Sequence, residues 1–287
     1  ALAGRRICTF DFKSLPDALR SGATVVADDA MISTYLLQPS RRTFLLGDIL
    51  AEEGLAARVS IAGDDEQLRA LAGHAAMLLA LVERQHEQLE SLGMRSLYTD
   101  IELPLVKVLV AMERTGISID TYRMAEIALK VSDQIDELRD RAHELAGREF
   151  NLGSPQQLAT VLFDELELPA QRKGKTGYST DARVLRDLRD MHPLVPVIEQ
   201  WRELSKLKST YLDSLPGLVN SRTGRIHTTF SQVSTATGRL SSVNPNLQNI
   251  PVRTAVGREI RSAFTPADGC RFVSCDSVSY THLTLPT

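Results

Sequence analysis

Residues 121–147 place the tightest constraint on this chain. Met124, Ile127, Val131, Ile135, Leu138, Ala142 and Leu145 recur at spacings of three and four within an otherwise charged run. At 3.6 residues per turn these side chains make one narrow stripe on a helix. So narrow a stripe is a seam for a single partner helix. Asp120 stands where a helix cap is needed, and Gly147 where the helix must stop. The partner the pattern selects is Pro193–Leu215, with Leu194, Val197, Trp201, Leu204 and Tyr211 on one face. Two long helices joined by a compact insertion predict an arm-like module.

The insertion reads as helical too. Ser154, Pro155, Gln156 and Gln157 form a capping box with proline at the first helical position. Thr180 is predicted to cap a second short helix through Leu188. Between them lies QRKGKTGYS, a basic loop that invites comparison with a phosphate-binding P-loop. That motif needs glycine five residues before Gly174, and the position holds Pro169. Arg172, Lys173 and Lys175 therefore read as a basic tip, either solvated or touching a phosphate backbone.

Residues 1–95 read as mixed α/β. TVVA (24–27) is strand-like, 29–37 helical, and 65–92 a long helix ended by Gly93-Met94. Asp100 is predicted to cap a helix ending near Gly116, and ISID (117–120) to form a short strand. Beyond Leu215, residues 220–224 form a turn, RIHTTFSQV (225–233) alternates like a strand, and RFVSC (271–275) reads as another. The fold class is α+β, mostly helical, without internal repeats.

With 43% hydrophobic and 24% charged residues, wholesale disorder is excluded. No apolar run approaches the ~18 residues of a membrane-spanning helix. Arginines stand where a signal peptide needs its apolar stretch, so the expected location is cytoplasmic. The first residue is Ala1 rather than methionine, which suggests a fragment. Cys8, Cys270 and Cys275 form no CxxC pair, and His74 and His86 lie twelve apart, so neither a disulfide framework nor a metal site is expected. Charge is unevenly spread. Residues 202–261 hold nine basic and three acidic side chains, while the remainder is acidic. Such a segment suits a polyanion or makes a solvated basic face.

The most informative stretch is TATGRLSSVNPNLQNIPVR, residues 235–253. It is too polar for a core strand and too rich in proline and glycine for a helix. Arg239 and Arg253 flank Asn246, Gln248 and Asn249, each carboxamide offering both a donor and an acceptor. Minor-groove acceptors sit at nearly equivalent positions on every base pair, so an arginine with amides can test pairing without reading sequence. Composition alone fits equally a polar loop that satisfies its own backbone.

This stretch resembles the signature of family A DNA polymerases, the bacterial DNA polymerase I type. Residues 201–230, 101–120 (IELPLVKVLVAMERTGISID) and 150–169 (FNLGSPQQLATVLFDELELP) resemble the same family, in its order and spacing. The resemblance implies a partial 3′-5′ exonuclease-like domain of ribonuclease H-like α/β fold over 1–97, and a helical thumb over 98–225. It implies the start of a β-rich palm with its DNA-contacting loop over 226–276. Residues 277–287 look foreign to the family. Carried over by residue, Arg239 resembles the arginine that probes the primer-terminal minor groove. Asn246, Gln248 and Asn249 resemble amides along primer and template, and Arg253 an arginine near the primer end. Arg202, Lys206, Ser209 and Thr210 resemble thumb residues on the duplex. Asp276 resembles the first of two catalytic carboxylates that hold two Mg2+ ions. The partners implied are primer–template DNA and deoxynucleoside triphosphates, for a monomer associated with the bacterial nucleoid.

The chain also departs from the family. Asp276 is followed by SVSYTHLTLPT, without the aromatic residue and glutamate expected there, and the second carboxylate is missing. In the exonuclease-like part, acidic and tyrosine positions align with Leu15, Leu71 and Ala75, so proofreading chemistry is not expected. The reading is a DNA-directed DNA polymerase that is catalytically incomplete as given. The alternatives are a non-catalytic primer–template-binding module and, less favoured, a 3′-5′ exonuclease.

Overall fold

The computed structural model describes residues 4–20, 24–55, 66–169, 173–174 and 177–275. Ten α-helices, five short 3-10 or π segments and eight short strands are found among them. The first half runs β1 (Arg6–Thr9), α1 (Asp17–Arg20), β2 (Val25–Asp29), α2 (Ala30–Leu37), α3 (Leu46–Glu52), α4 (Glu66–Ser91), α5 (Leu103–Thr115), β3 (Ser118–Ile119) and α6 (Thr121–Ala146). The second half runs α7 (Pro155–Ala159), β4 (Lys173–Gly174), β5 (Gly177–Tyr178), α8 (Ala182–Leu188), α9 (Leu194–Leu207), β6 (Thr229–Ser231), β7 (Ser241–Val243), α10 (Ala255–Ser262) and β8 (Phe264–Thr265). The described chain is thus mostly helical with few strands, as expected. It forms two compact units, both discontinuous. One holds 1–116 with 227–249, the other 117–226 with 250–287.

In the first unit β1 and β2 pair in parallel, with a bulge between Ile7 and Cys8. Asp29 organises their ends. Its carboxylate caps α2 through Met31 N–H at 3.1 Å and accepts the N–H groups of Asp11 at 3.0 Å and Phe12 at 2.7 Å. Three donors on one carboxylate offset part of the cost of burying it. Burial still raises its pKa to about 6. Phe12, Val26, Ile32, Leu89, Tyr98, Leu103, Val106 and Val110 make one apolar cluster. A second gathers Ala30, Ile49, Leu50, Leu81 and Val82 between α2, α3 and α4.

In the second unit the expected seam is present. Met124, Ile127, Val131 and Ala142 of α6 are buried, and α6 packs on α9. Asp120 caps α6 through Arg123 N–H at 2.9 Å, and Gly147 ends it with a φ of 72°. The partner face differs in detail from the sequence reading: Val195 and Ile198 are buried along with Leu194 and Leu204, while Val197 and Trp201 are partly covered. Those two instead border the insertion's core, where Leu158, Val161, Leu162, Val184, Leu185 and Leu188 pack tightly.

Six local expectations need correction. Asp100 caps nothing; it lies inside a π-helical turn, Leu97–Glu102, that runs directly into α5. Asp181, not Thr180, caps α8, accepting from Arg183 and Val184 N–H, both at 3.0 Å. Adjacent residues both had capping chemistry, and the carboxylate won. The capping box at Ser154 is half made: Ser154 Oγ accepts Gln157 N–H at 3.4 Å, but Gln157 turns back to Asn151 N–H at 2.7 Å. The helix from 193 widens into a π segment, Lys208–Leu212, before it ends. The strand over 225–233 contracts to Thr229–Ser231. RFVSC is exposed and extended without being a strand, since no described segment pairs with it and a strand needs a ladder partner to satisfy its backbone. The basic tip at Arg172 and Lys175, and the side chain of Lys173, lie outside the described residues, as do Asp276 and residues 277–287.

Candidate nucleic-acid interface

In the first unit, β6 and β7 form an antiparallel hairpin, Thr229 opposite Val243 and Ser231 opposite Ser241. Its connection carries the polar stretch singled out from sequence. Gly238 adopts a φ of 75° with open space where a side chain would sit, the left-handed turn only glycine makes without strain. Thr235 Oγ1 donates to Arg239 C=O at 2.7 Å, and the hydroxyls of Ser234 and Ser241 bridge the stem. Arg239 is exposed and has no ion-pair or hydrogen-bond partner for its side chain among the described residues. Its five donors and its charge therefore face outward.

Past β7 the chain folds on itself. Ser242, almost fully buried, shares a 2.7 Å hydroxyl contact with Thr228 and accepts Leu247 N–H at 3.2 Å. Asn246 Oδ1 accepts the N–H groups of Gln248 at 3.1 Å and Asn249 at 3.3 Å. Gln248 spends both ends of its amide inside the loop, accepting from Ser242 N–H and donating to Leu240 C=O, each at 3.1 Å. Of the three carboxamides, Asn246 and Gln248 brace the loop, while Asn249 is exposed with its side chain uncommitted among the described residues.

Residues that the sequence reading missed brace the hairpin. Glu113 accepts Phe230 N–H at 2.7 Å and pairs with Lys13, which also donates to Phe230 C=O. Both partners are largely buried, at 15% and 12% side-chain exposure, so the pair acts as a clamp and not as a surface ornament. Gln232 donates to Glu102 Oε2 at 2.8 Å. Tyr35, 3% exposed, reaches the loop from α2 with its hydroxyl. No local pattern marks these residues, because each meets the hairpin from more than a hundred positions away.

The second unit holds the other candidates. Arg202 is half-buried and donates through Nη2 to Thr180 Oγ1 at 3.1 Å and through Nη1 to Thr180 C=O. Burial lowers its pKa. It ties α9 to the insertion, and its donors are in part committed there. Lys206 is exposed, with no side-chain partner among the described residues. Ser209 and Thr210 are exposed on the π segment that follows, where Ser209 Oγ donates to Lys206 C=O at 3.3 Å. Arg253 is exposed just before Thr254, which caps α10 by accepting Gly257 N–H at 3.1 Å. Arg258 and Arg261 of α10 are also exposed, and both donate back to the Ile250–Arg253 backbone.

The first unit thus presents Arg239 and Asn249, and the second Lys206, Ser209, Thr210 and Arg253. Among the described residues no group of three His, Cys, Asp or Glu could hold a metal ion, and Asp276, the expected magnesium ligand, lies outside them. No described helix is long and apolar enough to cross a membrane. His74 is exposed, and His86 Nε2 sits 2.6 Å from Asp28 Oδ1 in a partly buried contact.

The chain belongs to DNA polymerase family A, whose family model matches residues 121–282. In particular, it is 45% identical to the thermostable DNA polymerase I of Thermus aquaticus over 90% of its own length and 30% of that protein's. It is 40% identical to DNA polymerase I of Geobacillus stearothermophilus over 85% of the chain and 29% of that protein. A solved structure, the POL domain of Pol1 from M. smegmatis in complex with DNA primer-template and dNTP, superposes with a TM-score of 0.75 at 39% identity. That match covers 85% of this chain and 42% of the other. The chain therefore spans about 30% of the length of the curated relatives it matches.

Proposed function

We propose that this chain is the primer–template-gripping part of a DNA-directed DNA polymerase, with Arg239 probing the terminal base pair. The observation that carries the reading is the β6–β7 hairpin, which holds an unneutralised guanidinium outward on a braced loop. A guanidinium can donate to the pyrimidine O2 and purine N3 acceptors that all four base pairs share, and so registers pairing without sequence. Asn249 adds a donor and an acceptor on the same unit, and Asn246 and Gln248 act by holding the loop. Lys206, Ser209, Thr210 and Arg253 supply backbone contacts that position the duplex. Arg202 acts chiefly through the insertion it anchors.

Nucleotide transfer belongs to the larger protein, and Asp276, with a second carboxylate and magnesium, is assigned to it by resemblance. The partners proposed are primer–template DNA and deoxynucleoside triphosphates. The competing reading is a binding module without turnover. A primer-extension assay with magnesium separates the two for this chain: templated extension above background would refute catalytic incompleteness. A salt titration tests the grip itself. Affinity for a labelled primer–template is expected to fall linearly on a log–log plot as counterions are released. Absent or salt-independent binding refutes the reading.

A further inference from the structure

The hairpin that presents Arg239 is fixed at its tip by a residue from another element of the first unit. Tyr35 lies on α2 and is 3% exposed, on a helix that also buries Ala30, Ile32, Ser33 and Thr34. Its hydroxyl donates to Thr235 C=O at 2.7 Å and accepts Gly238 N–H at 3.1 Å. Those two backbone groups bracket the turn, and Arg239 is the next residue. With Thr235 Oγ1 bonded to Arg239 C=O, the loop from 235 to 239 closes on itself and is pinned through one phenol.

A long arginine on an unpinned nine-residue loop (232–240) would sample many positions and lose conformational entropy on engaging DNA. A loop already pinned beside the guanidinium loses less. The clamp of Lys13 and Glu113 on Phe230 fixes the stem of the same hairpin, so stem and tip are anchored separately. We infer that Tyr35 is a positioning residue for DNA recognition. Its hydroxyl holds the 235–239 turn so that Arg239 meets the primer-terminal pair preorganised. This inference rests on the functional reading above and extends it to a residue of the α/β segment for which proofreading chemistry is not expected.

Tyr35→Phe in the 287-residue chain tests it, since the ring keeps its packing and only the hydroxyl is lost. Gly238 is exposed, so water can replace the missing partner and the fold is retained. Three readouts are expected to agree. Gly238 amide hydrogen exchange accelerates. Affinity for a recessed primer–template falls about threefold to tenfold, the effect of one or two neutral hydrogen bonds, while affinity for a blunt duplex of equal length holds. In an Arg239→Ala background Tyr35→Phe adds no further loss, because the two residues act on one step. Unchanged Gly238 exchange, equal loss on both DNAs, or additive loss with Arg239→Ala overturns the role. If Arg239→Ala abolishes the preference for the recessed end and Tyr35→Phe does not, only the Tyr35 inference falls. If the unmodified chain shows no such preference, the functional reading falls and takes this inference with it.

Discussion

Gly257→Ala sets two effects of similar size against each other. Gly257 lies in the first turn of α10, buried, with a φ any residue can adopt. Helix propensity alone favours alanine by about 1 kcal/mol. Space argues the other way. A methyl there would fall 2.8 Å from both Pro251 Cβ and Thr254 Oγ1, and closer still to the Pro251 carbonyl oxygen. Thr254 Oγ1 is the atom that caps α10, and the carbonyl is backbone, so neither moves freely. Overpacking of this kind costs about 1–3 kcal/mol, which outweighs the propensity gain. The expected net is a destabilisation of up to about 2 kcal/mol by urea unfolding, with weaker DNA binding because the displaced turn carries Arg253. Gly47→Ala is the control: Gly47 lies in α3 with no atom within 4 Å of the added carbon, so it should gain up to about 1 kcal/mol. A stabilised Gly257→Ala would refute the steric reasoning and show that the Pro251–Thr254 turn yields.

Other perturbations follow from the same contacts. Leu162→Ala, at a fully buried position, should cost about 2–5 kcal/mol, whereas Leu129→Ala, 69% exposed, should stay within about 0.5 kcal/mol in the same denaturation series. Glu113→Ala strands Lys13 and the Phe230 N–H, so the first unit should lose about 3 kcal/mol. Carboxyl-detected NMR should show Asp29 titrating near pH 6 because of its burial. Its folded value lies above that of an unfolded chain, so its stabilising contribution is full below about pH 4 and lost as the pH rises through 6. Lys206→Ala should reduce the slope of log affinity against log salt by about one. Arg202→Ala should instead lower stability by removing the anchor on Thr180.

What could be read ahead of the structure was what local periodicity and chemistry determine. The α6 seam, the Asp120 cap and the Gly147 stop depend on neighbours within a turn or two, and they appear where the pattern put them. Where two neighbours shared the chemistry, as Thr180 and Asp181 did, the pattern could not choose. The π turns at 97–102 and 208–212 left no mark, because they arise from how a helix end packs and not from composition. RFVSC has strand chemistry without a strand, because pairing is a long-range property. The arginines of the candidate interface were legible from the polar stretch around them. Lys13, Tyr35 and Glu113 were not, since they join the hairpin only through the discontinuous unit that brings 227–249 onto 1–116.

The central claim is that Arg239 registers pairing rather than base identity, and terminal-pair binding measures this most directly. Primer–templates ending in each of the four matched pairs, and in one mismatch, are titrated against the chain and its Arg239→Ala variant. Affinities within about twofold across the matched ends, a weaker mismatch, and loss of that difference in the variant are the expected result. Affinity that follows base identity, or that ignores the mismatch, would contradict the account.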